Sequence, residues 1–362
     1  MKYTFLMKVQ KFLQQLLGID YMTIRENNYR KLISNINIRF FLTFKYNFIF
    51  FFIASLYAQN SPLYFYSQEV MPTEIIWIED DLSGCTRKND NNSLYMIEND
   101  QGKIWELDTN FNHLRTILGG HFGDEEDLVY LNNEDFAIVT EEGHLFIGSF
   151  PINNNNIEIN NFQKITFSNH DGNTGPEGVA YDSLSQTFFI VKEKNPMAFY
   201  IFQRPSHNND TTITVTIPFD AEIAFYGIMD DLSSITYDYR TNRVLILSDD
   251  SQKVIDVEPT DGSIFGEMII NGMEQPEGIC FLDNYDLLFV SEPNFYTIYS
   301  NFSLFGDINF DGQINYYDIE LIIEYLYGHI LLTEYQKINV DIDYNHNIDI
   351  FDILLIMDIS DN

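Results

Sequence analysis

Pro176-Glu177-Gly178-Val179-Ala180-Tyr181-Asp182, a polar turn over 183–186, and then Phe188-Phe189-Ile190-Val191-Lys192-Glu193 form the unit from which the middle of this chain is built. Two short runs rich in β-branched and aromatic residues, separated by turn formers, predict a β-hairpin. An acid opens the unit and another closes it. Moving outward in both directions, the pattern returns four more times. Pro276-Glu277-Gly278-Ile279-Cys280-Phe281 leads to Leu287 through Glu292, and Leu232-Ser233-Ser234-Ile235-Thr236-Tyr237 leads to Val244 through Asp249. Upstream, Glu126-Asp127-Leu128-Val129-Tyr130 pairs with Phe136 through Glu141, and Leu82-Ser83-Gly84-Cys85-Thr86 with Leu94 through Glu98.

The unit starts at Ser83, Glu126, Glu177, Ser233 and Glu277 lie 43, 51, 56 and 44 residues apart, and the closing acid follows 15 or 16 residues after each start. That period fits one four-stranded propeller blade per repeat, and residues 70–300 accommodate five or six. The inner strands of a propeller end in a central funnel. Glu126, Glu177 and Glu277 should meet there, with Glu141, Glu193, Asp249 and Glu292 beside them. Carboxylates so arranged coexist only with a cation, shared protons or water. On one reading they hold a calcium ion that polarises a substrate carbonyl or phosphoryl oxygen; on the other they cap the hairpins by accepting from backbone N–H groups. His113, His121, His144, His170 and His207 are scattered over turns, and His170-Asp171-Gly172-Asn173 is the one local cluster near an acid column.

Together with Val191-Lys192-Glu193-Lys194-Asn195-Pro196, Tyr237 through Asp250 and Ser291-Glu292-Pro293-Asn294, these segments resemble the SdiA-regulated family. The resemblance implies a six-bladed β-propeller, related in form to the strictosidine-synthase and lactonase-like propellers. It implies architecture more than chemistry.

Near the C-terminus two acidic segments run Asp307-Ile308-Asn309-Phe310-Asp311-Gly312-Gln313-Ile314-Asn315-Tyr316-Tyr317-Asp318 and Asp341-Ile342-Asp343-Tyr344-Asn345-His346-Asn347-Ile348-Asp349-Ile350-Phe351-Asp352. Oxygen-bearing side chains stand at positions 1, 3, 5, 9 and 12 of each, and position 7 (Gln313, Asn347) would offer its carbonyl. This is the spacing by which a twelve-residue loop wraps a hard cation. Gly312 permits the sharp turn at position 6, where the second loop has His346. Ile319, Ile322, Ile323 and Leu326 then form a helical stripe ending at Gly328, and Phe351, Leu354 and Leu355 repeat that spacing. No amphipathic helix leads into Asp307, so only exiting helices are expected.

This duplicated loop-helix unit, over residues 305–361, resembles the dockerin module, through which secreted proteins dock onto cohesin domains of a scaffold. The resemblance implies two Ca²⁺ ions and a cohesin partner. It also puts the partner-facing residues at Tyr316, Tyr317, Ile350 and Phe351. Many dockerins carry small hydroxyl residues there, so bulky apolar ones imply a hydrophobic cohesin face.

The chain has 362 residues and a net charge of −34, unevenly spread. Residues 1–58 carry eight Lys/Arg and two acids; the remainder carries 12 basic residues and 52 acids. So acidic a surface excludes nucleic acid and anionic membrane as partners of that remainder. The basic leader ends in Phe48 through Ala58, an apolar run of signal-peptide length with small-residue cleavage chemistry, and a retained anchor over 40–58 is the competing reading. Met22 is an alternative start. Cys85 and Cys280 fall in the first and last repeats, which closure of a ring would bring together as a bonded pair or as two buried thiols.

The expectation is therefore a mainly β protein: a six-bladed β-propeller over 70–300 with a small C-terminal all-α dockerin module, secreted to the cell exterior. Its function would be to dock the propeller, with a carbohydrate or other small ligand, onto a cohesin scaffold in a polysaccharide-degrading, cellulosome-like complex. The alternative is a hydrolase of glycosyl, lactone or phosphoester bonds that uses a further Ca²⁺ in the funnel.

Overall fold

The computed structural model describes residues 61–360 apart from 80, 89–92, 100–101, 133, 151–154, 169–174, 283–284, 302–305, 310–312, 333 and 343–346. The leader, His170 through Asn173, Asp311, Gly312, Asp343, Asn345 and His346 lie outside the described residues. Among the described residues, strands form five sheets. The first strand, β1 (Tyr66–Glu74), precedes the first repeat. Blade 1 comprises β2 (Leu82–Lys88), β3 (Ser93–Glu98), β4 (Ile104–Leu107) and β5 (His113–Ile117). Blade 2 comprises β6 (Glu125–Asn132), β7 (Asp135–Thr140), β8 (His144–Ser149) and β9 (Gln163–Phe167). Blade 3 has β10 (Pro176–Asp182), β11 (Thr187–Lys192) and β12 (Ala198–Gln203), followed by β13 (Thr211–Ile213), which pairs in parallel with β9 instead. Blade 4 is β14 (Ser234–Asp238), β15 (Arg243–Ser248), β16 (Lys253–Val257) and β17 (Ile264–Ile269). Blade 5 takes β18 (Pro276–Phe281), β19 (Leu287–Ser291) and β20 (Phe295–Asn301) from the end of the propeller and β1 from its beginning as the outer strand.

The innermost strands β2, β6, β10, β14 and β18 each lie against the next, and β18 lies against β2. The ring closes at five blades, which corrects the expectation of six. The long interval between Glu177 and Ser233 does not hold another blade. It holds β13 and a short helix, Ala221–Ala224, capped by the Asp220 side chain accepting from Ile223 N.

The core is divided in the same way, into five apolar layers between adjacent sheets. Phe188 and Ile190 of blade 3 pack with Val139 and Leu145 of blade 2, while Phe189 and Val191 face Val244 and Ile246 of blade 4. Both faces of each middle strand are therefore covered, which is why β11 reads as a continuous apolar run instead of an alternating one.

The C-terminal module has helices Tyr316–Leu326, Glu334–Val340 and Ile350–Ser360. The second of these leads into the Asp341 loop, so the expectation of exiting helices alone is corrected there. It is tied to the first loop by Gln336 Nε2 donating to Ile308 O at 2.9 Å. The buried stripe also differs from the sequence reading: Ile319, Ile322, Ile353 and Ile356 are inside, whereas Leu326, Phe351 and Leu355 are exposed.

Candidate functional site

Four of the five inner strands begin with the same irregularity. The ladder slips by a residue between Leu82 and Gly84, Glu125 and Asp127, Pro176 and Gly178, and Pro276 and Gly278. The residue left over is Ser83, Glu126, Glu177 or Glu277. A bulge re-aims the side chain it carries, and here it delivers three glutamates to one mouth of the central channel. The closing acids Glu141, Glu193, Asp249 and Glu292 come from just beyond the C-terminal ends of the second strands, beside those bulges.

The carboxyls feel one another. Glu177 is pushed up to about 9 by burial first and then by Glu193, with Glu277 and Glu141 adding to it. Glu277 is also pushed up to about 9, by burial and then by Asp249, Glu292 and Glu126. Burial holds Glu126 well above the usual carboxylate range, with Glu177 and Asp124 next in effect. Burial and Asp124 bring Glu141 to about 7, and burial with Asp231 and Asp250 brings Asp249 to about 6. Glu98, the closing acid of the first repeat, stands apart, 3.2 Å from Lys103.

Among the described residues, two groups within this mouth could each hold a cation through oxygen alone. Asp124, Glu126 and Glu141 bring carboxylate oxygens within 4.8 Å of one another, as do Asp231, Asp249 and Asp250. Asp124, Asp231 and Asp250 were not singled out from the sequence, because they fall outside the repeat columns. Counter-charge comes from Lys194, whose Nζ lies 2.5 Å from Glu193 Oε1 and 3.6 Å from Asp250 Oδ2. Lys192 is buried nearby and donates to Lys194 O at 2.7 Å.

Below the mouth, the channel is closed by a residue the sequence reading passed over. Asp127 is buried, with 1% of its surface exposed. Its Oδ2 accepts from Val179 N of β10 at 3.2 Å and from Ser234 Oγ of β14 at 3.0 Å, and Oδ1 accepts from Leu128 N at 2.8 Å. The amide of Cys85 in β2 donates to it as well. Ser234 Oγ in turn accepts from Ile279 N of β18 at 3.3 Å. One carboxylate thus reaches three of the other inner strands directly and the last through a serine, a span available only in a narrow ring. Gly84 makes room, since a Cβ there would stand 2.4 Å from Asp127 Oδ1. The signal was present: Gly84, Gly178 and Gly278 occupy this column in three repeats, and Asp127 replaces them in a fourth.

At the opposite ends of the inner strands lies a cavity of about 560 Å³ lined from all five blades. Its walls include Arg87, Tyr130, Tyr181, Tyr237, Phe281 and Tyr285. One mouth is acidic, the other aromatic.

Residues 59–300 match the SdiA-regulated family model. The chain belongs to the SdiA-regulated family. In this member of it, residues 305–358 match a second model, the dockerin type I domain. Among solved structures, the chain is similar to a luciferin-regenerating enzyme at 8% identity, over 63% of this chain and 95% of that one, with a TM-score of 0.43. It is also similar to a nidogen/laminin complex chain at 9% identity, over 59% and 72%, with a TM-score of 0.39. Both likenesses are too loose to speak to function.

The dockerin loops close in the same way. Asp318 is fully buried; its Oδ1 accepts from Ile308 N at 2.8 Å and its Oδ2 from Asn315 N at 2.8 Å. Asp352, equally buried, accepts from Ile342 N at 3.0 Å and Asp349 N at 2.8 Å. Position 12 therefore reaches back to positions 2 and 9 in both loops. Position 9 caps the following helix each time, with Asn315 Oδ1 accepting from Tyr317 N and Asp349 Oδ1 from Phe351 N. Buried Asp307 and partly exposed Asn309 and Asp341 stand around these closures, with Gln313 and Asn347 exposed. Such an all-oxygen set suits Ca²⁺. Tyr317, Ile350 and Phe351 are 46%, 45% and 60% exposed, and Tyr316 is partly buried with its ring 3.9 Å from that of Tyr317.

Proposed function

We propose that this protein is a secreted, calcium-dependent docking protein whose C-terminal module seats its propeller on a cohesin domain of an extracellular scaffold, in a polysaccharide-degrading, cellulosome-like assembly. Two Ca²⁺ ions would be held by Asp307, Asn309, Asp311, Gln313, Asn315 and Asp318, and by Asp341, Asp343, Asn345, Asn347, Asp349 and Asp352. The observation that carries this reading is the identical closure of the two loops, with the residues at positions 10 and 11 left largely outside the module's core. Tyr316, Tyr317, Ile350 and Phe351 present an apolar face, so the cohesin partner presents one too. The Tyr317→Asp/Phe351→Asp protein should lose at least about thirtyfold in cohesin affinity, the scale of a hot-spot loss, with unchanged calcium binding. Titration calorimetry against a cohesin reads both. Undiminished affinity would place the docking face elsewhere.

A second reading concerns the cargo. The acidic mouth, with Glu126, Glu177, Glu193, Asp249, Glu277 and Glu292 drawn together, favours a further divalent cation there and hydrolysis of a glycosyl, lactone or phosphoester bond at it. The aromatic cavity offers a place for a carbohydrate or other small ligand. In chelator, Glu177 and Glu277 keep protons that the unfolded chain has released once pH exceeds the ordinary 4.5. Each step up in pH from there to about 9 then favours unfolding. Thermal melts in chelator should show Tm falling across that window, and Glu177→Gln/Glu277→Gln should flatten the fall. Excess calcium should flatten it too. An equally steep fall in the variant counts against the mouth, and turnover that survives in it counts against the hydrolase.

A further inference from the structure

Cys85 and Cys280 stand 195 residues apart in sequence, yet their Sγ atoms are 2.8 Å apart. Cys85 belongs to β2 and Cys280 to β18, the innermost strands of the first and last blades, which meet at the seam of the ring. Their backbones pack closely there: a Cβ added to Gly278 would come within 2.9 Å of Ser83 O and 3.1 Å of Gly84 Cα. Glycine in both strands lets the inner strands touch, and that contact brings the next pair of side chains together. Both thiols are buried, at 3% and 5% exposure, in the apolar layer formed with Met96, Leu288 and Val290. Burial pushes the Cys85 thiol up, and the neighbouring Cys280 adds to it.

We propose that Cys85 and Cys280 are joined by a disulfide that seals the propeller seam at its inner edge, as β1 on β20 seals it at the outer edge. The bond is made during folding, while the strands are still accessible, by exchange with a small-molecule disulfide such as oxidised glutathione. One cysteine thiolate attacks a glutathione sulfur, forms a mixed disulfide and expels one glutathione thiolate. The second cysteine thiolate then attacks the mixed disulfide at the protein sulfur and expels the other. Two protons leave the cysteines, the cysteines are oxidised by two electrons, and one glutathione disulfide is reduced to two thiols. A cross-link across so long a loop removes much freedom from the unfolded chain.

The test is refolding of the full chain in a reduced/oxidised glutathione buffer, followed by thiol titration in guanidinium with and without prior reduction. The expected result is loss of both thiols before reduction and two after it. Intact mass should be lower by two hydrogens, and non-reducing digestion should yield one peptide pair spanning the two cysteines. Reductant should lower Tm in the wild-type protein and leave the Cys85→Ser/Cys280→Ser protein unmoved. Two titratable thiols in refolded protein, or a disulfide between chains, would overturn the proposal. So would a wild-type melt indifferent to reductant.

Discussion

Chelating calcium should melt helices Tyr316–Leu326 and Ile350–Ser360 and leave the propeller folded. The module is short and its apolar interior small, resting on Ile308, Ile319, Ile322, Ile353 and Ile356. A domain of this size needs a staple beyond its core. Each twelve-residue loop carries several acids in its sequence, and without a cation acids so close in the chain repel one another. Binding adds stability in proportion to the logarithm of ion concentration over Kd, about 4 kcal/mol per site at a thousandfold excess. Losing the bound calcium should therefore exceed what the core alone sustains. Far-ultraviolet circular dichroism should lose helical signal on chelation and regain it on adding calcium. The propeller's aromatic near-ultraviolet signal should stay. Helicity indifferent to chelator would mean that the loops fold unaided.

The second large effect lies at the propeller axis. Asp127→Ala should cost on the order of 4 kcal/mol, because four donors lose their acceptor in a place water does not reach. Cys85 N, Leu128 N, Val179 N and Ser234 Oγ would all be stranded. Burial also pushes Asp127 above the usual carboxylate range, but its four partners named here are all donors, so the amide of Asp127→Asn, which turns a donor toward donors, should destabilise as well. The neighbour supplies the contrast. Glu126→Ala removes a carboxyl held high by burial and by Glu177, so it should leave stability unchanged or raise it. Denaturant melts of the three variants read the difference. If Asp127→Ala unfolds at the wild-type midpoint, the axial network does not hold the ring.

Much of this architecture was legible in the residues. The five repeat units are the five blades, and Glu126, Glu177 and Glu277 stand at equivalent bulges because the repeat places them there. Six blades follow from the family resemblance, whereas the units number five; the extra length before Ser233 goes into β13 and the helix Ala221–Ala224. Asp127 was missed for a different reason. Its role depends on Ser234, 107 residues away, and a column that reads Gly, Asp, Gly, Ser, Gly looks like a spacer until the strands are brought together. The dockerin helices show the limit of periodicity. Phe351 and Leu355 have helical spacing, but the helix turns Ile353 and Ile356 inward, leaving the former exposed. Apolar spacing names a stripe without saying which of two stripes meets the neighbour.

Calcium-gated docking is the central claim, and one titration tests it: a cohesin with an apolar docking face added to the whole protein in calorimetry, first with calcium and then with excess chelator. Tight one-to-one binding that vanishes with the metal and returns on its restoration is the predicted result. Binding of equal strength in both buffers would contradict it.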